Sequence, residues 1–252
     1  MSSDPAPAAG PRDPALLGQT LVVIGGSAGI GLATAGHARA EGARVILTGR
    51  DAERLRAAAA EVGALGATAF DADDPARLQR FFEELPGQID HVLVTAGQPS
   101  YGRLLDMDAD QARGAISGHV ALALEVARHV VGRVRPGGTL LLLGGTGARR
   151  VRAGLGTAPA VTAAMPALTA GLALELAPVR VNLIAAGFVD TPLSARLLGD
   201  GLDARREELR ATLPIGRVVV PADVAALAVH LMTNTAVTGA TYDIDGGQQF
   251  VG

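Results

Sequence analysis

The stretch VVIGGSAGIGLATA, residues 22–35, limits what this chain can fold into more than any other. A short apolar run ends in a glycine cluster, and an alanine-rich segment with helical spacing follows. Gly25, Gly29 and Gly31 give the pattern G-x-x-x-G-x-G. Glycine lets the backbone turn sharply and approach a bulky anion, while the N–H groups opening the next helix face it. A strand, a glycine-rich turn and a helix in that order belong to sheets built from βαβ units.

The rest of the chain repeats the alternation. Thr20–Gly25, Arg44–Thr48, Ala67–Phe70, His91–Thr95, Thr139–Leu143, Val181–Ile184 and Thr241–Ile244 read as strands. Between them, Ile30–Glu41, Ala52–Val62, Pro75–Leu85 and Asp108–Val134 carry helical spacing. Strands this apolar suit a parallel sheet covered on both faces. The expectation is an α/β fold: one Rossmann-like, doubly wound parallel sheet of about seven strands with helices on both faces. Residues 1–16, rich in Pro, Ala and Gly, read as a mobile arm, and 17–252 as a single domain.

Composition removes several function classes. The net charge of −3 offers no basic stripe for nucleic acid. No cysteine is present, so thiolate catalysis and cysteine zinc sites are excluded, and no metal is called for. No uninterrupted apolar run reaches the roughly 18 residues of a membrane span. The amino terminus lacks the basic and apolar regions of a signal peptide, and the expected location is cytoplasmic. All 22 basic residues are arginine, so no lysine is available for catalysis.

With these motifs in view, the chain resembles a short-chain dehydrogenase/reductase from about Leu17 to its end. FDADD resembles the acid after the third strand, which implies that Asp71, with Ala72 beside it, holds an adenine amino group. LVTAG resembles the N-A-G turn, placing Thr95, Ala96 and Gly97 beside a ribose. RVNLIAAGFVDTPL resembles the segment whose backbone meets the nicotinamide amide at Val189, with Thr191 assisting; Ala186 stands where proline is usual. DIDGGQQ resembles the terminal strand and its turn. The implied cofactor contacts also include Gly25, Ser27, Gly29, Ile30 and Gly31. The second strand ends in Gly49 and Arg50, where NAD-preferring members carry an acid. A guanidinium suits a 2′-phosphate, so NADP(H) is preferred over NAD(H). Arg50 read plainly is a solvated residue opening the next helix, and Asp71 a simple cap.

The chemical end departs from the family. Counting back from Glu175 puts Thr162 at the lysine position and Ala158 at the tyrosine position. The serine falls on Gly144 or Gly145, and the supporting asparagine near His119. With tyrosine only at 101 and 242, no realignment restores the pair. Pro159 and Pro166 flank the stretch, so the helix either begins near Pro166 or is kinked there.

The candidate replacements are Arg149, Arg150, Arg152 and Thr146 after the fifth strand, His119 on the long helix, and Tyr101 at the rim. Each has a plainer reading: a solvated loop or subunit contact for the arginines, a turn residue for Thr146, a hydrogen-bonded filler for His119, rim packing for Tyr101. Asp190 reads as a cap for the helix opening at Pro192. Residues 192–216 read as a substrate lid. Two functions follow: an NADP(H)-dependent oxidoreductase reducing a carbonyl, imine/iminium or other activated electrophile without the Tyr–Lys pair, or an inactive NADP(H)-binding partner or sensor. The resemblance also implies a homo-oligomer, tetramer or dimer, built on the helices after strands four and five, acting on a small molecule.

Overall fold

The computed structural model describes residues 13–251. The strands are β1 (Thr20–Ile24), β2 (Arg44–Gly49), β3 (Gly66–Ala69), β4 (Ile89–Val94), β5 (Val134–Gly145), β6 (Arg180–Ala186) and β7 (Thr241–Ile244). They form one sheet in the order β3-β2-β1-β4-β5-β6-β7, and every neighbouring pair is parallel. The helices are α1 (Gly29–Ala40), α2 (Ala52–Val62), α3 (Pro75–Glu83), α4 (Ala109–Val130), α5 (Ala158–Glu175), α6 (Pro192–Leu198), α7 (Leu202–Thr212) and α8 (Pro221–Thr233). This is the doubly wound sheet that the alternating pattern implies. Strand order reverses between β1 and β4, which opens a crevice at their carboxyl ends.

Period-two alternation divides the strand residues between two cores. Val22, Ile24, Val92 and Leu140 pack with Phe81, Phe82 and Val126 on one face. Leu21, Val23, Leu93 and Leu141 pack with Ala35, Leu55 and Val224 on the other. Local chemistry sets several helix ends. The Asp51 carboxylate accepts the Arg54 N–H at the start of α2, and Gly63 ends that helix at φ 60°. Asp74 does the same for α3, with Pro75 in its first turn.

Three sequence expectations are corrected. The long helix does not reach Val134: α4 stops at Val130, Gly132 turns at φ +73°, and Val134 already belongs to β5. The arm ends before residue 16, because Leu16 is fully buried and its N–H donates to the Glu41 carbonyl; residues 1–12 lie outside the described residues. The helix bearing Pro166 starts at Ala158, not near Pro166. Pro159 occupies its first turn, where a missing N–H costs nothing.

At the opposite end of the sheet, β4 buries His91 to 2% exposure. Its Nδ1 lies 2.8 Å from the Thr139 hydroxyl and its Nε2 2.6 Å from Gln19 Oε1, so the neutral ring is fully bonded. Burial, reinforced by the Arg180 and Arg135 charges, lowers its pKa to about 3. The folded ring therefore stays neutral where the unfolded chain, with the ordinary histidine pKa near 6.5, takes a proton. His91's contribution is complete above about pH 6.5 and falls by up to ~1.4 kcal/mol per pH unit down to about pH 3. Urea unfolding at pH 7 and pH 4.5 checks this. His91→Gln should lose less stability between the two than the wild type, and equal losses would remove His91 as a source of acid sensitivity.

Candidate cofactor and active site

A cavity of about 360 Å³ opens at the carboxyl ends of β1, β2 and β4. Its floor is the glycine turn. Gly25 takes φ +102°, and a Cβ there would stand 2.7 Å from the Ala96 nitrogen. A Cβ on Gly31 would stand 2.4 Å from the Gly25 carbonyl oxygen. The helix α1 has Ala28 at its N-cap, with no side-chain cap and no acid in its first turn. Its leading N–H groups therefore face the cavity with their partial positive charge uncompensated, as an anion site requires.

One end of the cavity is cationic. Arg50 is exposed on its wall, and Arg54 stands one turn into α2 on the same side. Asp51 lies between them in sequence, but its carboxylate is turned onto the Arg54 N–H at 3.0 Å, which holds its pKa below the usual carboxylate value. A Cβ on Gly49 would meet the Ser27 hydroxyl at 3.0 Å, so an acid at that position is crowded as well as misplaced. Across the cavity, Asp71 is exposed and accepts the Asp73 N–H, while Asp74 is the residue that caps α3. Asp71 is thus not the helix cap, and it faces the same space as Ala72, Ala96 and Gly97.

The cavity brings together Gly25, Ser27, Gly29, Ile30, Gly31, Arg50, Asp71, Ala72, Ala96, Gly97 and Thr191. Val189 sits apart, its side chain in the core and its residue bridged to Val219. That bridge uses the Asp190 N–H, and the Val189 N–H finds no acceptor among the described residues. Thr191 caps α6 by exchanging bonds with Ser194, so the cap expected of Asp190 belongs to Thr191. Asp190 instead holds Arg206 of α7 through two bonds of 2.8 and 2.9 Å, tying the expected lid to the loop after β6. Arg54 and Arg196 also line the cavity and escaped the sequence reading. Their signal was helical spacing: Arg54 is four residues after Arg50, and Arg196 four after Pro192.

The candidate catalytic residues scatter. His119 alone reaches the cavity, half-buried, with Nε2 3.1 Å from the Leu143 carbonyl, which makes that nitrogen the donor. Arg149 is committed to Asp243 by two bonds near 3 Å, and Arg150 donates to the Val251 carbonyl. Both tie the loop after β5 to the end of the chain. Arg152 faces a second hollow, with Leu104, Leu105, Val151 and Pro159. Tyr101 is 52% exposed and borders neither space; partial burial holds its phenol above the ordinary pKa. Thr146 starts the turn that Arg149 closes, outside the cavity.

The stretch read as the tyrosine and lysine positions has its own job. The Thr162 hydroxyl accepts the Ala148 N–H at 2.9 Å and donates to the Ala158 carbonyl at 2.9 Å. It stitches the loop after β5 to the first turn of α5. A Cβ on Gly145 would stand 3.3 Å from the Thr162 methyl.

The chain is similar to known proteins over nearly its whole length. The family described as Enoyl-(Acyl carrier protein) reductase matches residues 25–249. Sorbitol dehydrogenase of Cereibacter sphaeroides is 32% identical, over 91% of this chain and 97% of that protein. The NADP-dependent (R)-specific alcohol dehydrogenase of Lentilactobacillus kefiri is 29% identical, over 92% and 97%. A small-chain dehydrogenase solved in complex with NADPH superposes with a TM-score of 0.80 at 30% identity, covering 92% of this chain and 99% of that one.

Proposed function

We propose that this chain, which belongs to the short-chain dehydrogenase/reductase superfamily, is an oxidoreductase that uses NADP(H) in preference to NAD(H). Its reaction is reduction of a carbonyl, imine/iminium or other activated electrophile, without the Tyr–Lys pair. The observation that carries the cofactor reading is the cationic end of the cavity. Arg50 and Arg54 stand there, and the one nearby acid in the second turn, Asp51, is spent on α2. Two guanidiniums suit a 2′-phosphate, and Gly49 stands at the end of β2 where an acid would accept from a 2′-hydroxyl.

The residues present fit the dinucleotide. Gly25, Gly29, Ser27, Ile30 and Gly31 would hold the pyrophosphate, Asp71 and Ala72 the adenine, Ala96 and Gly97 the ribose, and Val189 and Thr191 the nicotinamide amide. When bound, the reduced cofactor supplies a hydride. The chain's part is to fix the distance and angle of transfer and to keep the lid closed through Asp190 and Arg206. An activated electrophile accepts hydride without a strong protein acid, which suits a site where Ala158 and Thr162 stand at the usual positions. The same proposal has the enzyme work in the cytoplasm, on a small molecule, as a homo-oligomer joined through α4 and α5. Support for the contact comes from α5, whose 18 residues have a mean hydropathy of 1.2 but are only 17% buried.

A second reading is an inactive NADP(H)-binding partner or sensor. What favours it is the Thr162 hydroxyl, fully used in holding a loop. Titration with NADPH and NADH, then an assay over carbonyl, imine and enone panels, separates the readings. Arg50→Asp should weaken NADPH by about 10- to 100-fold, equivalent to one charge-assisted bond lost and a repulsion gained, and NADH far less. Equal weakening would refute the NADP(H) preference. Tight NADPH binding with no electrophile reduced would establish the inactive reading.

A further inference from the structure

We infer that the backbone N–H of Gly147 is the donor that polarises the substrate's carbonyl oxygen, an inference that rests on the reductase reading above. Around it every other backbone N–H of the turn is engaged. The Thr146 N–H donates to the Ala186 carbonyl, the Ala148 N–H to Thr162 Oγ1, and the Arg149 N–H to the Thr146 carbonyl. The Gly147 N–H alone in this run finds no acceptor among the described residues, although the residue is half-buried. Its nitrogen lies 4.0 Å from the point a Cβ on Gly145 would occupy. A serine hydroxyl at 145 would sit one bond beyond that Cβ. The unpaired N–H therefore borders the volume in which a serine at 145 would present its hydroxyl. That volume is also bounded by the Thr162 methyl at 3.3 Å and the Ala186 carbonyl at 3.5 Å. Neither of these donates, so among the atoms that line that point outside residues 144–146 the donor is the Gly147 N–H.

A donor held by a turn needs no reorganisation when charge develops on an acceptor, which is the property an oxyanion site requires. The electrophilic carbon accepts a hydride with its electron pair from the reduced nicotinamide, which becomes the oxidised form. The C=O π pair moves onto oxygen, held by Gly147. Water then protonates that oxygen and leaves as hydroxide. An iminium carbon ends as a neutral amine with no anion to hold, and so gains nothing from this donor. The inference thus selects a carbonyl or enone oxygen over an iminium as the group this site is built to activate.

Proline removes the N–H, and its fixed negative φ is compatible with Gly147, which is not among the glycines at positive φ. The first turn position that Gly147 occupies is one proline favours. Gly147→Ala keeps the N–H and places a Cβ 3.3 Å from Thr162 Oγ1, so it measures the cost of adding a side chain. Trifluoroacetophenone serves as the carbonyl probe and N-methyl-1-pyrrolinium as the iminium probe. Relative to Gly147→Ala, Gly147→Pro should lose about 100- to 1000-fold in kcat on the ketone, with NADPH Kd and the iminium rate alike in the two variants. Adding Gly145→Ser to Gly147→Pro should return part of the ketone rate. A ketone rate equal in the alanine and proline variants overturns the inference. A second measurement needs no turnover. In the wild type loaded with NADP+, the isotope-labelled Gly147 amide should shift downfield and exchange more slowly when isobutyramide, a carbonyl that cannot be reduced, is added. An unmoved Gly147 amide also overturns the inference. If neither probe is reduced but the amide responds, the reductase reading fails and the donor assignment stands.

Discussion

Gly31→Ala should abolish useful cofactor binding, raising the NADPH Kd about 100-fold or more, although it adds one methyl group. The added carbon would stand 2.4 Å from the Gly25 carbonyl oxygen and 2.7 Å from the Thr95 hydroxyl. The first contact is backbone, and the peptide that would have to move is the one forming the pyrophosphate turn. Thr95 in turn bonds the Ile24 and Gly25 carbonyls, so the strain spreads to β4. Gly36→Ala on the same helix is the control. Its Cβ meets only a Val62 methyl at 3.8 Å, an ordinary contact. That variant should bind NADPH as the wild type does and gain up to about 1 kcal/mol from helix propensity. Isothermal titration of both variants checks the contrast. Gly31→Ala binding within a few fold of the wild type would mean that the turn is not the cofactor's cradle.

Arg180→Met should be the most destabilising substitution outside the cavity, by about 3 kcal/mol. The guanidinium is 6% exposed. It donates to the Leu231 and Met232 carbonyls at 2.8 and 2.7 Å and to the Val237 carbonyl at 3.1 Å. It thereby closes the carbonyl end of α8, where a cation is also favoured by the helix dipole. Desolvation lowers its pKa, and the bonds to carbonyls offset that cost. Methionine fills the volume and leaves those carbonyls unpaired. For a chain of this length the loss corresponds to a Tm lower by roughly 6–12 °C. Because the Arg180 charge also depresses the His91 pKa, the variant should lose less further stability on acidification than the wild type. A Tm within about 2 °C of the wild type would show that water replaces the guanidinium at little cost.

The fold was legible because its signals are local. The apolar runs and the glycine turn specify strands, turn and helices without reference to distant residues, whereas the cap of α3 is Asp74 and not Asp71. α2 and β7 have the bounds read from the sequence. Most of the named cavity-lining residues were legible for the same reason, since they follow the carboxyl ends of β1 to β4 within a few residues. What could not be read were pairings between segments far apart in the chain. Arg149 meets Asp243 and Arg206 meets Asp190, and neither distance nor charge pattern along the sequence announces it. Arg149, which looked like a spare cation, was therefore already committed. Arg54 and Arg196 reach the cavity from α2 and α6, past the loops that follow the strands, where a charged residue on a helix reads as a solvated face.

The Thr162 hydroxyl also bears on whether the usual chemistry can be put back. Tyrosine at 158 and lysine at 162 look like two independent substitutions. At 162 the exchange also deletes the acceptor of the Ala148 N–H and the tie from α5 to the loop after β5. A longer side chain there must pass Gly145 and Gly147, where an added Cβ would stand 3.3 Å from Thr162. The loop and the helix position are coupled, so their effects do not add. Restoring the pair means rebuilding the loop first, and in that order of events the present arrangement is easier to enter than to leave.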